Sequence, residues 1–316
     1  VVATFGLQIP NFTFDGPPAE LFDRVADLAE AAEDTGYKSV WVMDHFFQLP
    51  ALGGPDQPML EAYTLLGALA ACTDAVELGA LVTGVTYRNP AILAKQVTTL
   101  DIISKGRAVL GLGAAWYDVE HHALGVEYPP DGVRLDMLEE ALQICRAMFT
   151  QERSSFDGRH FTTKDARNIP APLRPGGPRI LVGGGGEKRT LRLVAKYADA
   201  CNVNAGGATL RRKIDVLREH CADVGRDPAE VRVTRLVTVL PTTSASETAD
   251  ARKFLVDLAG ADFAEACIVG EPGDLVDQFG ESIELGVEEH LINAVLSGPD
   301  AVRHLGELLT TSFSHA

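Results

Sequence analysis

The chain is short of positive charge and of cysteine, and it has no long apolar run. Each shortage closes off a class of function. Its 28 Lys and Arg stand against 44 Asp and Glu, a formal net charge of −16. Nucleic acids and anionic membranes are themselves negative, so neither is the expected partner. Any anionic ligand must be drawn by a local basic patch. No apolar stretch reaches the ~18 residues that a membrane span requires. The opening residues, Val1-Val2-Ala3-Thr4-Phe5-Gly6-Leu7-Gln8-Ile9, read as strand and lack the basic and small-residue flanks of a secretory leader. Cys72, Cys145, Cys201, Cys221 and Cys267 are odd in number, far apart and without metal-ligand spacing. They read as free, mostly buried thiols in a reducing cytoplasm, with no metal site.

Hydrophobic residues make up 46% of the 316-residue chain and charged residues 23%, enough apolar material for an ample core. The stretch around which the rest is organised is Ile180-Leu181-Val182-Gly183-Gly184-Gly185-Gly186-Glu187-Lys188-Arg189-Thr190-Leu191. It reads as a short buried strand, a turn of four glycines and the start of a helix at Glu187. Glycines admit positive φ and let a ligand approach the main chain, and a helix start offers unpaired N–H groups to an anion such as phosphate. Neither the Gly-Lys-Ser/Thr of a P-loop nor the dinucleotide fingerprint is present.

Around this stretch, apolar strands and amphipathic helices alternate eight times. Strands are predicted at 5–10, 39–43, 76–83, 107–113, 179–182, 200–204, 231–240 and 289–295. Runs that are apolar throughout, rather than alternating, belong to parallel strands buried on both faces. The expected fold is α/β, a (β/α)8 TIM barrel forming a single domain over residues 1–316, with an insertion at 151–178 between strands four and five. That insertion is irregular and carries Pro170, Pro172, Pro175 and Pro178. In a barrel, chemistry sits where strands end, so the polar residues there become the candidates.

Strand two ends in Asp44 and His45. A carboxylate beside an imidazole is not required for packing there, and His45 suits a general acid or base. Strand three runs through Ala80, Leu81, Val82 and Thr83 to Arg88, with a bulge expected to push a flat apolar edge into the mouth. Strand four opens into Gly113, Ala114, Ala115 and Trp116, with Trp116 as a wall of a flat pocket and Glu120 as a weaker acid–base candidate. His121 and His122 are adjacent, so on a helix they diverge and do not share a metal. Strand six ends in Asn202, a hydrogen-bonding residue for a cofactor. No predicted strand end carries a lysine, which argues against a Schiff-base lyase.

Taken together, Trp41-Val42-Met43-Asp44-His45-Phe46, Thr83-Gly84-Val85-Thr86-Tyr87-Arg88-Asn89-Pro90-Ala91, the segment from Gly111 to His121, and Val182-Gly183-Gly184-Gly185-Gly186 resemble the luciferase-like flavin and deazaflavin oxidoreductases. Within these the chain is most similar to the actinobacterial branch that uses coenzyme F420. The resemblance implies a TIM barrel whose insertion lids the mouth, and an oxidoreductase moving a hydride between F420 and a small organic substrate. It implies a ring lying on Ala80, Leu81 and Val82 with Thr83 alongside, at a bulge with a cis peptide at Ala80–Leu81 or Leu81–Val82. It places phosphate on Gly184, Gly185 and Gly186 with Glu187 next to them, sets Asp44 and His45 beside the reactive ring, and suggests a homodimer.

The chain departs from the sugar-phosphate dehydrogenases of that group. Ala114 stands where their catalytic carboxylate closes strand four, and Gln8 and Asn11 replace a glutamate at strand one. The departure argues against sugar-phosphate oxidation and leaves acid–base chemistry to His45, with Glu120 behind it. Two alternatives stay open at this point. One is an FMN-dependent monooxygenase using reduced flavin and oxygen. The other is a non-catalytic F420- or flavin-binding protein.

Overall fold

The structure is a computed structural model that describes residues 3–293 and 298–313. Its strands are β1 (Thr4–Ile9), β2 (Ser39–Val42), β3 (Glu77–Ala80), β4 (Thr83–Gly84), β5 (Ala108–Gly113), β6 (Ser154–Asp157), β7 (Thr162–Ala166), β8 (Arg179–Gly183), β9 (Ala200–Val203), β10 (Arg232–Pro241), β11 (Ile268–Gly270) and β12 (Glu289–Asn293). Its helices are α1 (Leu21–Asp34), α2 (Ala62–Cys72), α3 (Pro90–Ile103), α4 (Asp118–Leu124), α5 (Asp131–Thr150), α6 (Thr190–Tyr197), α7 (Gly207–Asp223), α8 (Ala245–Ala259), α9 (Ala261–Ala266), α10 (Pro272–Glu284) and α11 (Pro299–Phe313).

β1, β2, β3, β5, β8, β9, β10 and β12 pair in that order, all in parallel, and β12 pairs with β1 to close the ring. The expected (β/α)8 barrel is therefore present. Full burial explains why the strands do not alternate: all four residues of β2 and all six of β5 are inside. Helices cover the outer face through small and branched residues. In α1, Val25, Leu28, Ala29 and Ala32 recur at helical spacing and are buried. Local chemistry sets the helix starts. Asn89 accepts from the Ala91 amide and Pro90 takes the first position of α3, where no donor is missed. Glu61 caps α2 by accepting from the Thr64 amide, so this helix starts at Ala62.

Three expectations are corrected. Strand three does not run unbroken from 76 to 83. β3 stops at Ala80, and β4 resumes beside β5 after two residues. Helix α6 begins at Thr190, three residues later than expected, because residues 187–189 form a turn. The insertion 151–178 does not lie across the mouth. It leaves the end of α5 and returns to the start of β8, so it belongs to the end of the barrel opposite the strand C-termini.

The insertion's contacts agree with its topology. Arg174 pairs with Glu77 at the start of β3, the Leu173 amide donates to Asp101, and Asn168 bonds to Thr98. The antiparallel β6–β7 hairpin folds back along α5, where Glu140 accepts from the amides of Arg159, His160 and Phe161. That hairpin, together with α9 and β11, was not anticipated. The last two residues of the expected strand 289–295 lie outside the described residues.

Candidate active site

The middle of β5 and the end of β8 carry glycine for a packing reason. A Cβ on Gly111 would stand 2.0 Å from the Ala80 carbonyl oxygen. One on Gly113 would stand 2.8 Å from Val82 Cγ2, and one on Gly183 also 2.8 Å from it. These bare positions let the chain after β3 swing over the neighbouring strands and seat the Val82 side chain between them. The Leu81–Val82 peptide in this bulge is cis, one of the two bonds expected.

The bulge forms one side of a cavity of about 420 Å³ at the C-terminal ends of the strands. Asp44, His45, Leu81, Val82, Trp116, Gly184 and Asn202 line it, joined by Tyr87, Ala115, Thr190, Asn204 and Leu236. A larger cleft, about 530 Å³, opens between β1 and α11 at the other end, lined by Asp34, Lys38 and Glu307 among others. Among the described residues it gathers no histidine, and it lies away from the end where barrels do chemistry.

His45 follows β2 into the cavity, and its Nδ1 lies 2.7 Å from Glu120 Oε1. Glu120, on α4, is fully buried. It also accepts from the amides of Phe46 (2.7 Å) and Phe47 (3.2 Å) and from the Tyr87 hydroxyl. Burial pushes the Glu120 carboxyl up, but the hydrogen bonds from His45 and Tyr87 outweigh it and hold the group below the usual carboxylate range. An ionised carboxylate only accepts, so His45 Nδ1 carries a proton and Nε2 is the nitrogen left for a ligand. Burial and the Glu120 carboxylate push the Tyr87 phenol up, which keeps it a donor. The Trp116 ring meets His45 edge-on at 5.6 Å, and Tyr117 does so at 5.8 Å, so the imidazole is held on its sides as well as from behind.

Asp44 is buried and bound through both oxygens by Arg88, at 2.5 and 3.1 Å. Arg88 also reaches Glu61 at 2.6 Å and lies 4.8 Å from the centre of the Tyr63 ring. Burial works against the Arg88 cation, but Asp44 outweighs it and holds the guanidinium above its usual value. Asn202 donates to Thr234 at 2.9 Å, which fixes its amide in the wall. Ala115 takes φ of 61°, the left-handed region that a non-glycine residue rarely occupies, where the chain turns from β5 toward α4.

Several candidates fall outside the cavity wall. Ala80 and Thr83 are fully buried: Ala80 ends β3 in the core, and the Thr83 hydroxyl bonds to Tyr63 at 2.8 Å. Glu120 stands behind His45 and does not face the cavity. Gly185 and Gly186 do not line it. The Gly185 carbonyl accepts from Lys213 at 2.6 Å. A Cβ on Gly186 would meet Thr190 Oγ1 at 2.8 Å. Glu187 pairs with Arg212 at 2.9 Å, and its carbonyl lies 2.7 Å from His220 Nε2. Gly184 and Thr190 are thus the part of the glycine turn that faces the ligand space. The sequence reading gave no role to Tyr87, Tyr63 or Glu61, because each acts through a partner distant in the chain.

The profile of the luciferase-like monooxygenase family matches residues 4–266. The chain belongs to that family. This luciferase-like chain is 34% identical to the F420-dependent glucose-6-phosphate dehydrogenase of Kineococcus radiotolerans over 55% of its own length, and it spans about half (49%) of that relative. It is 29% identical to the protein of the same name from Intrasporangium calvum, with 92% of each chain covered. The F420-dependent tetrahydromethanopterin reductase from Methanopyrus kandleri has the same fold, with a TM-score of 0.81 at 18% identity over 99% of this chain and 100% of that one.

Proposed function

We propose that the protein is an F420-dependent oxidoreductase acting on a small organic substrate. The observation that carries this reading is His45, held through Nδ1 by an ionised Glu120 with Nε2 toward a cavity that is walled by the Val82 bulge on one side and by Gly184 and Thr190 on the other. The names of the two curated relatives support the choice of cofactor. The site suits a flat ring with a phosphate tail. Glycine at 113 and 183 leaves room for the bulge that would back the ring, while the Thr190 hydroxyl offers a donor to the phosphate beside Gly184, whose own amide is spent on the Asn202 carbonyl at 3.1 Å. A bound deazaflavin supplies hydride transfer. The chain's part is to place that ring, to exclude water with Leu81, Val82 and Leu236, and to give or take a proton at His45 Nε2.

The same reading makes the protein a cytoplasmic homodimer whose residues 1–316 form one domain. Its strong net negative charge and unpaired cysteines support a reducing aqueous compartment. No helix among the described residues is long and apolar enough to cross a membrane.

Parallel titration with F420 and FMN, followed by fluorescence quenching, tests the proposal. Saturable binding of F420 at concentrations where FMN is not retained is expected. Retention of FMN alone, with oxygen consumed on reduction, would make the protein a flavin monooxygenase, as the family's description suggests. Tight F420 binding without turnover of any substrate would make it a carrier.

A further inference from the structure

The geometry points to an uncharged substrate with an apolar body and one oxygen function, in place of the sugar phosphate that the names of its relatives would suggest. The inference rests on the cofactor reading above and assigns the part of the same cavity that the ring would leave open.

A hexose phosphate brings a dianion that must lose water on entry; the glycine turn is taken by the cofactor's own phosphate in the reading above, so a second phosphate would need a cation in place of that water. The cavity wall holds no lysine or arginine among the described residues. Arginines and a lysine on the elements around it are committed elsewhere. Arg88 serves both Asp44 and Glu61. Arg134 donates to the carbonyls of Ala114 (2.9 Å) and Pro129 (2.5 Å), pairs with Asp131, and lies over the Tyr128 ring at 4.0 Å. Arg189 is bound by Asp136 and the Gly132 carbonyl. Lys213 is held by the Gly185 carbonyl and Glu187. Lys188 is exposed but lies outside the wall, on the glycine-turn side. Two carboxylates share the Arg88 guanidinium and a third stands behind His45, so the local field also opposes an incoming dianion.

The wall offers apolar contact in their place. Ala114 and Ala115 present only methyl groups to the cavity. Trp116 remains 61% exposed beside His45. An aromatic ring that stays in water next to a proton donor or acceptor is an anchor for an apolar ligand. His45 Nε2 then meets the ligand's single oxygen.

The test uses protein loaded with F420, or with FMN where that alone is retained. Glucose 6-phosphate, cyclohexanol and cyclohexenone are titrated calorimetrically, and turnover is followed by cofactor absorbance. A neutral ring is expected to bind saturably, with kcat/KM at least ~100-fold above that for the phosphate. Trp116→Ala is expected to weaken the neutral ring ~10-fold with no gain for the phosphate. Binding of glucose 6-phosphate as tightly as the neutral rings, or binding of none of them, overturns the inference. Failure to retain F420 while neutral rings still bind the FMN-loaded protein overturns the cofactor reading and leaves the substrate class standing.

Discussion

Both ends of the barrel bury carboxylates, and they use them differently. At the N-terminal end, Glu289 accepts from Ser39 at 2.6 Å and from Arg232 at 3.2 Å, and the Ser39 hydroxyl in turn accepts from the Trp41 indole at 2.7 Å. Glu77 nearby binds both Arg174 and Arg179. In that set every partner is spent on another partner. At the C-terminal end, Glu120 collects four donors, but one of them, His45, keeps a second nitrogen for open space. A buried charge by itself therefore says little about function. What distinguishes the mouth is a polar chain that ends at a cavity, where the floor's chain closes on itself.

That contrast can be broken by experiment, most severely at His45. His45→Ala is expected to lower turnover by ~10²–10⁴-fold, the range for loss of a general acid or base, with cofactor affinity unchanged. Steady-state absorbance and fluorescence quenching separate the two effects. Unchanged turnover would remove His45 from the chemistry and make the two ends alike. Glu289→Ala should act the opposite way. It strands Arg232 and the Ser39–Trp41 chain, so a loss of about 3–5 kcal/mol in urea unfolding is expected, with kcat per folded molecule intact.

Glu120→Gln sharpens the comparison. It keeps the size of the side chain but removes the charge that fixes the imidazole. A fall in kcat of ~10–100-fold is expected, with an altered pH profile and little change in cofactor affinity. A merely structural Glu120 would shift the urea midpoint and leave the pH profile in place.

The smallest effect concerns acid stability. His290 is fully buried against Phe5 and Phe279, with Ser282 at 2.6 Å from its Nε2, and burial with nearby Arg235 pushes its pKa down to about 3. A folded-state value below the unfolded one means that the unfolded chain takes up the proton first. Stability is then full above the ordinary histidine value near ~6.5 and falls as pH drops from there toward 3, by up to ~1.4 kcal/mol per pH unit. Urea unfolding at pH 7, 6 and 5 should show this slope, and His290→Gln should flatten it.

The barrel was legible because eight apolar runs separated by amphipathic ones leave few other arrangements. The bulge was legible only as a region, since its cause lies in glycines on other strands. Asp44 and His45 could be picked out because polar residues that end an apolar run have no packing role. The role of Glu120 was obscured by its distance in the chain, 74 positions from Phe46, from whose amide it accepts. The insertion was misjudged for a different reason. Its length and its prolines suggested a lid, but the direction of the connection decides which end of a barrel it can reach, and a path from helix to strand returns to the N-terminal end. Phosphate was placed on Gly184, Gly185 and Gly186, and of these Gly184 lines the cavity, while the Gly185 carbonyl is held by Lys213.

Val82 rests in a socket made of hydrogen atoms, with bare positions on β5 and β8 beneath it. The surface proposed to back a ligand is therefore registered by the sheet itself. Loops at the rim are free to diverge and retune what enters, while any methyl group added at 113 or 183 would lift the whole platform before a ligand arrived.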